Sequence, residues 1–255
     1  MSQIIALTNQ KGGVGKTTSA VNLAASLAAL DRRVLLVDLD PQGHASMGSG
    51  IDKYELDKSV LDVLLGEATA AETIVKKLAV KYDVLPGNGD LTAAEVELLD
   101  RDKSESCLTN ALASVSDAYD VVLIDCPPSL NMLTVNALTA SDSVLIPLQC
   151  EFYALEGLSA LLDTVEQIKQ NVNPDLAIAG ILRTMYDKRT SLTREVDKQL
   201  RDYFGDMLLK TTIPRNVKVA EAPSHGLPVT QYARFSRGSQ AYRVLAKEMI
   251  RRLSL

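Results

Sequence analysis

The 255-residue chain is 46% hydrophobic with a formal net charge of −5. That is enough apolar content for one large core, and too acidic a balance, taken whole, for a generic polyanion binder. Cys107, Cys126 and Cys150 are unevenly spaced, which excludes a disulfide framework and suits a reducing compartment. No basic-then-apolar leader opens the chain and no apolar run approaches a bilayer span, so a cytoplasmic protein is expected.

Apolar runs alternate with helical patterns along the whole chain. They predict βαβ units and a mostly parallel, twisted sheet flanked by helices, with residues 1–255 as a single α/β domain. The first predicted strand, Ile4–Thr8, leads through Gln10-Lys11-Gly12-Gly13-Val14-Gly15-Lys16-Thr17-Thr18 into a predicted helix, Lys16–Leu30. Glycines at 12, 13 and 15 let the backbone take positive φ and turn its N–H groups inward on an anion. The start of the helix adds its positive end. Lys16 can set an ammonium against the outer phosphates of a nucleotide, and the Thr17 hydroxyl can ligate Mg²⁺. The plain pattern G-x-x-x-x-G-K-[ST] fails only at its first glycine, where Gln10 stands; a second lysine, Lys11, precedes Lys16 by five residues.

The second predicted strand, Val34–Asp38, runs into Asp38-Leu39-Asp40-Pro41-Gln42-Gly43. Ligands of open α/β sheets sit at the carboxyl ends of strands, so two carboxylates emerging there are placed for Mg²⁺ or a water. Residues 44–110 are mixed in pattern, with helices expected at Val60–Leu65, Ala71–Ala79 and Thr92–Asp100, a strand at Val84–Leu85 and a further helix at Glu105–Ala118. The strand Val121–Asp125 is four apolar residues ending in a carboxylate, the pattern that delivers Asp125 to a Mg²⁺ shell. Pro127 and Pro128 stiffen the loop after it. Then follow a helix at Leu130–Ala140, a strand at Ser143–Pro147, a helix at Ala154–Asn171, a strand at Ala177–Arg183, a helix at Leu192–Phe204, a strand at Met207–Thr211, a short helix at Val217–Ala222 and a last helix at Ser236–Leu253. The two histidines, His44 and His225, are too few and too far apart for a metal site, and the thiols read as small buried apolar groups.

Charge is unevenly spread. Residues 210–255 hold nine Lys/Arg against Glu221 and Glu248, a balance of +7; the other 18 basic and 30 acidic residues give residues 1–209 a balance of −12. A basic C-terminal fifth on an acidic body is a candidate electrostatic footprint, or a solvated basic helix. The last helix carries one wide apolar face (Ala241, Val244, Leu245, Ala246, Met249, Ile250, Leu253) without Phe or Trp, which reads as packing on the body rather than lying on a membrane.

The octet Lys11–Thr18 is the deviant form of the Walker A motif, and the chain resembles the ParA/MinD group of P-loop ATPases. The segment from Asp38 to Gln42 matches that group's D-x-D-P-Q switch. Gln149–Gly157, Met185–Thr190, Ile213–Lys218 and Ala220–Gly226 resemble the chromosomal, Soj-like ParA branch, and the likeness runs from residue 3 to about 250. It implies a P-loop NTPase fold with ATP and Mg²⁺ as cofactors. Lys11, Gly12, Gly13, Val14, Gly15, Lys16, Thr17 and Thr18 would surround the phosphates, Met185, Pro214, Arg215 and Asn216 would lie by the adenine, and Thr17, Asp38 and Asp125 would serve the metal. It further implies an ATP-dependent homodimer in which Lys11 reaches the partner's ATP. Catalysis would fall to Lys11, Lys16 and Asp40, the aspartate acting on the attacking water. Arg189 and Lys218 match the surface that contacts double-stranded DNA without sequence preference. A ParB-type centromere-binding protein would stimulate slow hydrolysis, on the nucleoid and with no membrane, to segregate a chromosome or plasmid. Relatives often carry arginine at the position of Lys218, and Arg101–Cys107 is more acidic and polar than usual. Two rivals remain: a MinD-like, membrane-associated regulator of the division site, and a metabolic P-loop enzyme of the dethiobiotin-synthetase kind.

Overall fold

The strand that feeds the glycine-rich loop, β1 (Gln3–Leu7), lies inside an eight-stranded sheet in the computed structural model, which describes residues 2–77, 79–98 and 101–255. The other strands are β2 (Val34–Asp38), β3 (Val75–Lys77), β4 (Tyr82–Leu85), β5 (Val121–Asp125), β6 (Ser143–Gln149), β7 (Ala177–Tyr186) and β8 (Leu208–Pro214). Their order is β3-β4-β2-β5-β1-β6-β7-β8, and every pair is parallel except β3–β4. The helices are α1 (Lys16–Ala28), α2 (His44–Gly48), α3 (Val60–Leu64), α4 (Ala70–Thr73), α5 (Leu91–Glu97), α6 (Cys107–Ala113), α7 (Met132–Thr139), α8 (Ala154–Asn171), α9 (Ser191–Phe204), α10 (Val217–Glu221), α11 (Val229–Tyr232) and α12 (Arg237–Leu253).

Alternate residues of each strand serve opposite faces. Ile5, Leu7, Leu36 and Leu123 pack with α1 and α12, whereas Ala6, Leu35, Val37 and Ile124 pack with α3 and α5 to α8. With both faces covered, a parallel strand must be apolar throughout, and this is why the central strands are legible as unbroken hydrophobic runs. The mostly parallel sheet is the architecture expected of the α/β reading.

The differences lie at the edges. The helix expected at Ala71–Ala79 stops at Thr73. A capping box starts it, with Thr69 and Glu72 bonding each other's backbone N–H, but β3 follows at once and pairs antiparallel with β4. Ile74 and Val75 are β-branched, and the open edge of β4 supplies the ladder that a helix here would leave unpaired. Leu78, Leu99 and Asp100, in the expected ends of this helix and of Thr92–Asp100, lie outside the described residues. The single helix expected at Glu105–Ala118 is α6 between two 3₁₀ turns, Ser104–Ser106 and Ser116–Ala118. Cys126 and Cys150 are buried as read, but Cys107 is only partly so. Strands β6, β7 and β8 run two or three residues beyond their expected ends, because Gln149 pairs with Thr184 and Tyr186 with Pro214. Those added residues form the rim of the site.

The C-terminal fifth is part of this body. In α12, Tyr242, Leu245, Ala246 and Met249 are buried against α1 and β8, so the apolar face is spent on the core. Glu248 of the same helix accepts the backbone N–H groups of Lys210 (2.7 Å) and Thr211 (2.9 Å) on the edge strand β8, satisfying donors that a second sheet would otherwise find. No described helix is long and apolar enough to cross a membrane. Five of the nine basic residues of this fifth fall into two groups. Lys210, Arg251 and Arg252 gather at the start of β8, while Arg215 and Lys218 follow its far end.

Leu245→Ala, with no exposed surface to relax into, should cost about 2–4 kcal/mol in urea unfolding. Val244→Ala, one residue away at 52% exposure, should stay within about 0.5 kcal/mol. Equal small effects would mean that α12 is only loosely held.

Candidate functional site

The carboxyl ends of β1, β2 and β5 meet at one rim. Between β1 and α1 the loop turns on Gly13 (φ 76°) and Gly15 (φ 85°), left-handed conformations that a side chain would strain. A Cβ added at Gly12 or Gly13 would meet nothing within 4 Å, so the loop borders an open cradle. Its outer side is held. Asn9 Oδ1 accepts Lys11 N–H at 2.9 Å while its Nδ2 donates to Pro147 O at 2.7 Å, and Thr184 Oγ1 donates to Val14 O at 2.7 Å. Lys16 is 6% exposed, and its Nζ donates to Lys11 O at 3.4 Å. Burial lowers its pKa, opposed by the charges of Asp125 and Asp40. Lys11 takes another course: its side chain is 42% exposed and its Nζ lies 2.5 Å from Glu151 Oε2.

Asp38 and Asp125 end β2 and β5 as register partners, and both are fully buried. Asp38 is satisfied internally. Its Oδ2 accepts both the N–H and the hydroxyl of Ser46 at 2.7 Å, and its Oδ1 accepts Asp40 N–H at 3.3 Å. Burial still raises its pKa to about 7, the Ser46 bonds opposing and the Asp40 charge adding. Asp125 has no hydrogen-bond partner on either oxygen. Burial and the Asp38 charge hold its pKa well above the usual range, with the nearby Thr17 hydroxyl pulling it down. An orphaned buried carboxylate beside Thr17 fits a cation, and the amide cradle with Lys16 fits a phosphate. Among the described residues no three His, Cys, Asp or Glu side chains could hold a metal by themselves. A hard cation here would therefore draw its remaining ligands from phosphate and water. Asp40, mostly buried, accepts Gln42 N–H at 2.9 Å.

Beyond the loop, a cleft of about 160 Å³ is lined by Gly15, Thr18, Met185, Pro214, Arg215, Asn216 and Tyr242, among others. It gathers all four residues expected beside a base. Met185 has φ 46°, rare for an unbranched side chain and tolerated where the surroundings over-determine it. Asn216 caps α10 through Val219 N–H. A larger cavity of about 450 Å³, between α3, α4 and α6, holds none of the residues expected to meet nucleotide, metal or DNA.

Arg189 and Lys218 follow β7 and β8 and so stand at the same end of the sheet. Arg189 pairs with Asp187 at 2.6 Å, and Lys218 with Glu221 at 2.8 Å. Hydrogen bonds from Arg189 bring Asp187 down to about 2, helped by the Arg215 charge; Tyr186 pairs with Pro214, so Arg215 leaves β8 beside this turn. Four contributors escaped the reading of the sequence: Asn9, Ser46, Glu151 and Thr184. Each acts through hydrogen bonds or an ion pair to another segment of the chain, and a single polar residue gives no local signal of that.

A glycine-rich turn from the central strand of a parallel sheet into a helix, with carboxylates on the neighbouring strands, defines a P-loop NTPase fold. The model of the family described as AAA domain matches residues 2–178. The sporulation initiation inhibitor protein Soj of Bacillus subtilis is 52% identical over 249 residues, 98% of each chain. The chromosome partitioning protein ParA of Caulobacter vibrioides is 50% identical over 252 residues, 98% of this chain and 94% of that one. Among solved structures, a cobyrinic acid a,c-diamide synthase from Mycobacterium smegmatis with bound ADP and magnesium is 40% identical with a TM-score of 0.87, covering 100% of this chain and 96% of that one. The chain belongs to the ParA/Soj family of partitioning ATPases. The synthase name attaches to a protein less similar in sequence than the two partitioning proteins, 40% against 52% and 50%.

Because burial raises Asp38 to about 7 and Asp125 in the same direction, the folded chain holds protons that the unfolded chain has released. Both groups therefore contribute stability that is full below about pH 4, and the Asp38 contribution is lost as pH rises through about 7. Asp125→Asn removes one of the two buried carboxyls whose ionisation costs stability, and should flatten the fall of Tm with rising pH. Differential scanning calorimetry across pH checks this, and an unchanged slope would remove Asp125 from it.

Proposed function

We propose that this chain is an ATP-driven DNA-partitioning ATPase, a single domain that pairs with a second copy through bound ATP and grips duplex DNA only when paired. One observation carries the reading: the two lysines of the loop part company. Lys16 is buried in the loop's own cradle, while Lys11 leaves it for Glu151 on the open rim. A lysine that stands outside its own cradle can exchange Glu151 for a nucleotide held by a facing subunit. Phe152 and Tyr153, next to Glu151, are exposed and packed edge to face, 5.0 Å between ring centroids, which suits a surface that a second copy covers.

Within each subunit the inward amides of Gly12 to Thr18 and the Lys16 ammonium would bind the phosphates. Thr17 and Asp125 would hold Mg²⁺, which when bound neutralises phosphate charge, and Asp38, tied to Ser46, keeps the Asp40 loop in place. Asp40 would orient the attacking water and accept its proton. Met185, Pro214, Arg215 and Asn216 would border the base. Arg189 and Lys218 would meet DNA phosphates, each outcompeting the acid it pairs with locally. One subunit offers few such charges on an acidic body, and two joined by ATP double them, so the nucleotide works by avidity. A ParB-type partner would speed hydrolysis and release the dimer. The setting would be the cytoplasm, on the nucleoid, in the segregation of DNA.

Lys16→Ala should abolish tight ATP binding. Lys11→Ala should keep nucleotide binding but stay monomeric with a slowly hydrolysed ATP analogue, as read by light scattering. Asp40→Ala should dimerise and bind DNA yet release phosphate at least about a hundredfold more slowly. Wild-type turnover in that variant would exclude Asp40 from the reaction.

Fluorescence anisotropy on random duplexes should show binding that needs ATP, ignores sequence and weakens with salt. Arg189→Ala or Lys218→Ala should lower affinity alike on all duplexes and flatten the salt slope by about one to two per dimer. Binding of equal strength without nucleotide would overturn the switch, and wild-type binding by both variants would overturn the surface.

A further inference from the structure

The glycine-rich loop does not hold its shape alone. Thr184, near the end of β7, is 3% exposed, and its hydroxyl donates to Val14 O at 2.7 Å, with Leu148 O at 3.2 Å as the weaker second acceptor. Its Cβ and Cγ2 also stand 3.9 Å from where a side chain on Gly15 would begin. A hydroxyl has one proton to give, and the shorter contact goes to the loop.

That bond has a directional consequence. The Val14–Gly15 peptide is planar and trans, so Val14 C=O and Gly15 N–H point in opposite directions. Holding the carbonyl toward β7 aims the amide away from β7. Gly15, at φ 85°, has no Cβ to resist rotation of this peptide, so the side chain of Thr184 supplies the restraint that the glycine lacks. The next residue, Met185, lines the base cleft with Gly15 and Thr18. Two adjacent residues of one strand thus touch the phosphate end and the base end of one site.

We propose that Thr184 is a positioning residue for nucleotide binding: by fixing the Val14 carbonyl it turns the Gly15 N–H into the phosphate cradle, and with Met185 it sets the phosphate and base subsites at a fixed separation. This rests on the nucleotide-binding reading above and extends it to a residue that touches no reacting atom. The restraint acts on the phosphate cradle common to ADP and ATP.

The test is calorimetric titration with Mg-ADP and with a slowly hydrolysed Mg-ATP analogue. Thr184→Val keeps the shape and loses the hydroxyl, and should weaken both ligands about tenfold. In turnover it should raise KM by a similar factor with kcat changed less than about threefold. Thr184→Ser keeps the hydroxyl and should bind within about threefold of wild type. Thr184→Val binding like wild type, or Thr184→Ser as weak as Thr184→Val, overturns the proposal, since a purely structural role would lower Tm without following the hydroxyl. Should Thr184→Val not fold, the wild-type protein decides: on Mg-ADP addition the Gly15 amide resonance should be among the most shifted in the loop, and an unmoved resonance overturns the proposal. A wild-type protein that binds neither nucleotide would instead overturn the nucleotide reading itself.

Discussion

Two carboxylates are buried side by side at the centre of this protein, and only one of them has its hydrogen bonds. Asp38 is tied to Ser46 and to the Asp40 amide, whereas Asp125, its register partner, has neither oxygen satisfied. Buried like charges destabilise each other, and burial penalises both. A cation at this point would relieve that cost. The nearest positive groups, Lys16 and the start of α1, belong to the glycine-rich loop, so the loop and the carboxylates make electrostatic sense only together.

The same rim is braced from the other side. Asn9 ties the loop to Pro147 on β6, and Thr184 ties it to β7. Strand β7 is itself anchored by Arg183, fully buried on Asp197 of α9 and on the carbonyl of Leu209 in β8. A buried guanidinium with a carboxylate and a backbone acceptor is costly to disturb. The glycine-rich loop, the cleft beside it and the turn bearing Arg189 thus hang from one connected set of strands.

Charge on this molecule follows position in the fold more than position in the chain. Of the nine basic residues in 210–255, Lys210, Arg251 and Arg252 gather at one end of β8 and Arg215 and Lys218 at the other, and the Arg189 turn, from outside that segment, comes to lie beside Arg215. A patch at the carboxyl rim built from two distant loops places positive potential where the nucleotide loop is, and where pairing of two subunits would bring a second copy of it.

The sequence by itself determined the sheet and the phosphate loop. Parallel strands covered on both faces must be apolar throughout, and a strand-to-helix anion cradle needs glycines and a lysine at fixed spacing; both constraints are local and leave unambiguous residues behind. It also located the carboxylates, because a buried strand ending in Asp is a short-range pattern. The edges of the sheet were left to the tertiary structure: Val75–Lys77 is a strand because β4 offers it a ladder, and β7 reaches Tyr186 because its neighbours do. The difference between Asp38 and Asp125 was decided there too, since both end apolar strands and only the placement of Ser46 satisfies one and not the other. The roles of Asn9, Glu151 and Thr184 are of the same kind. Each depends on contacts between segments far apart in the chain, and no property of a single polar residue announces which distant atom it will meet.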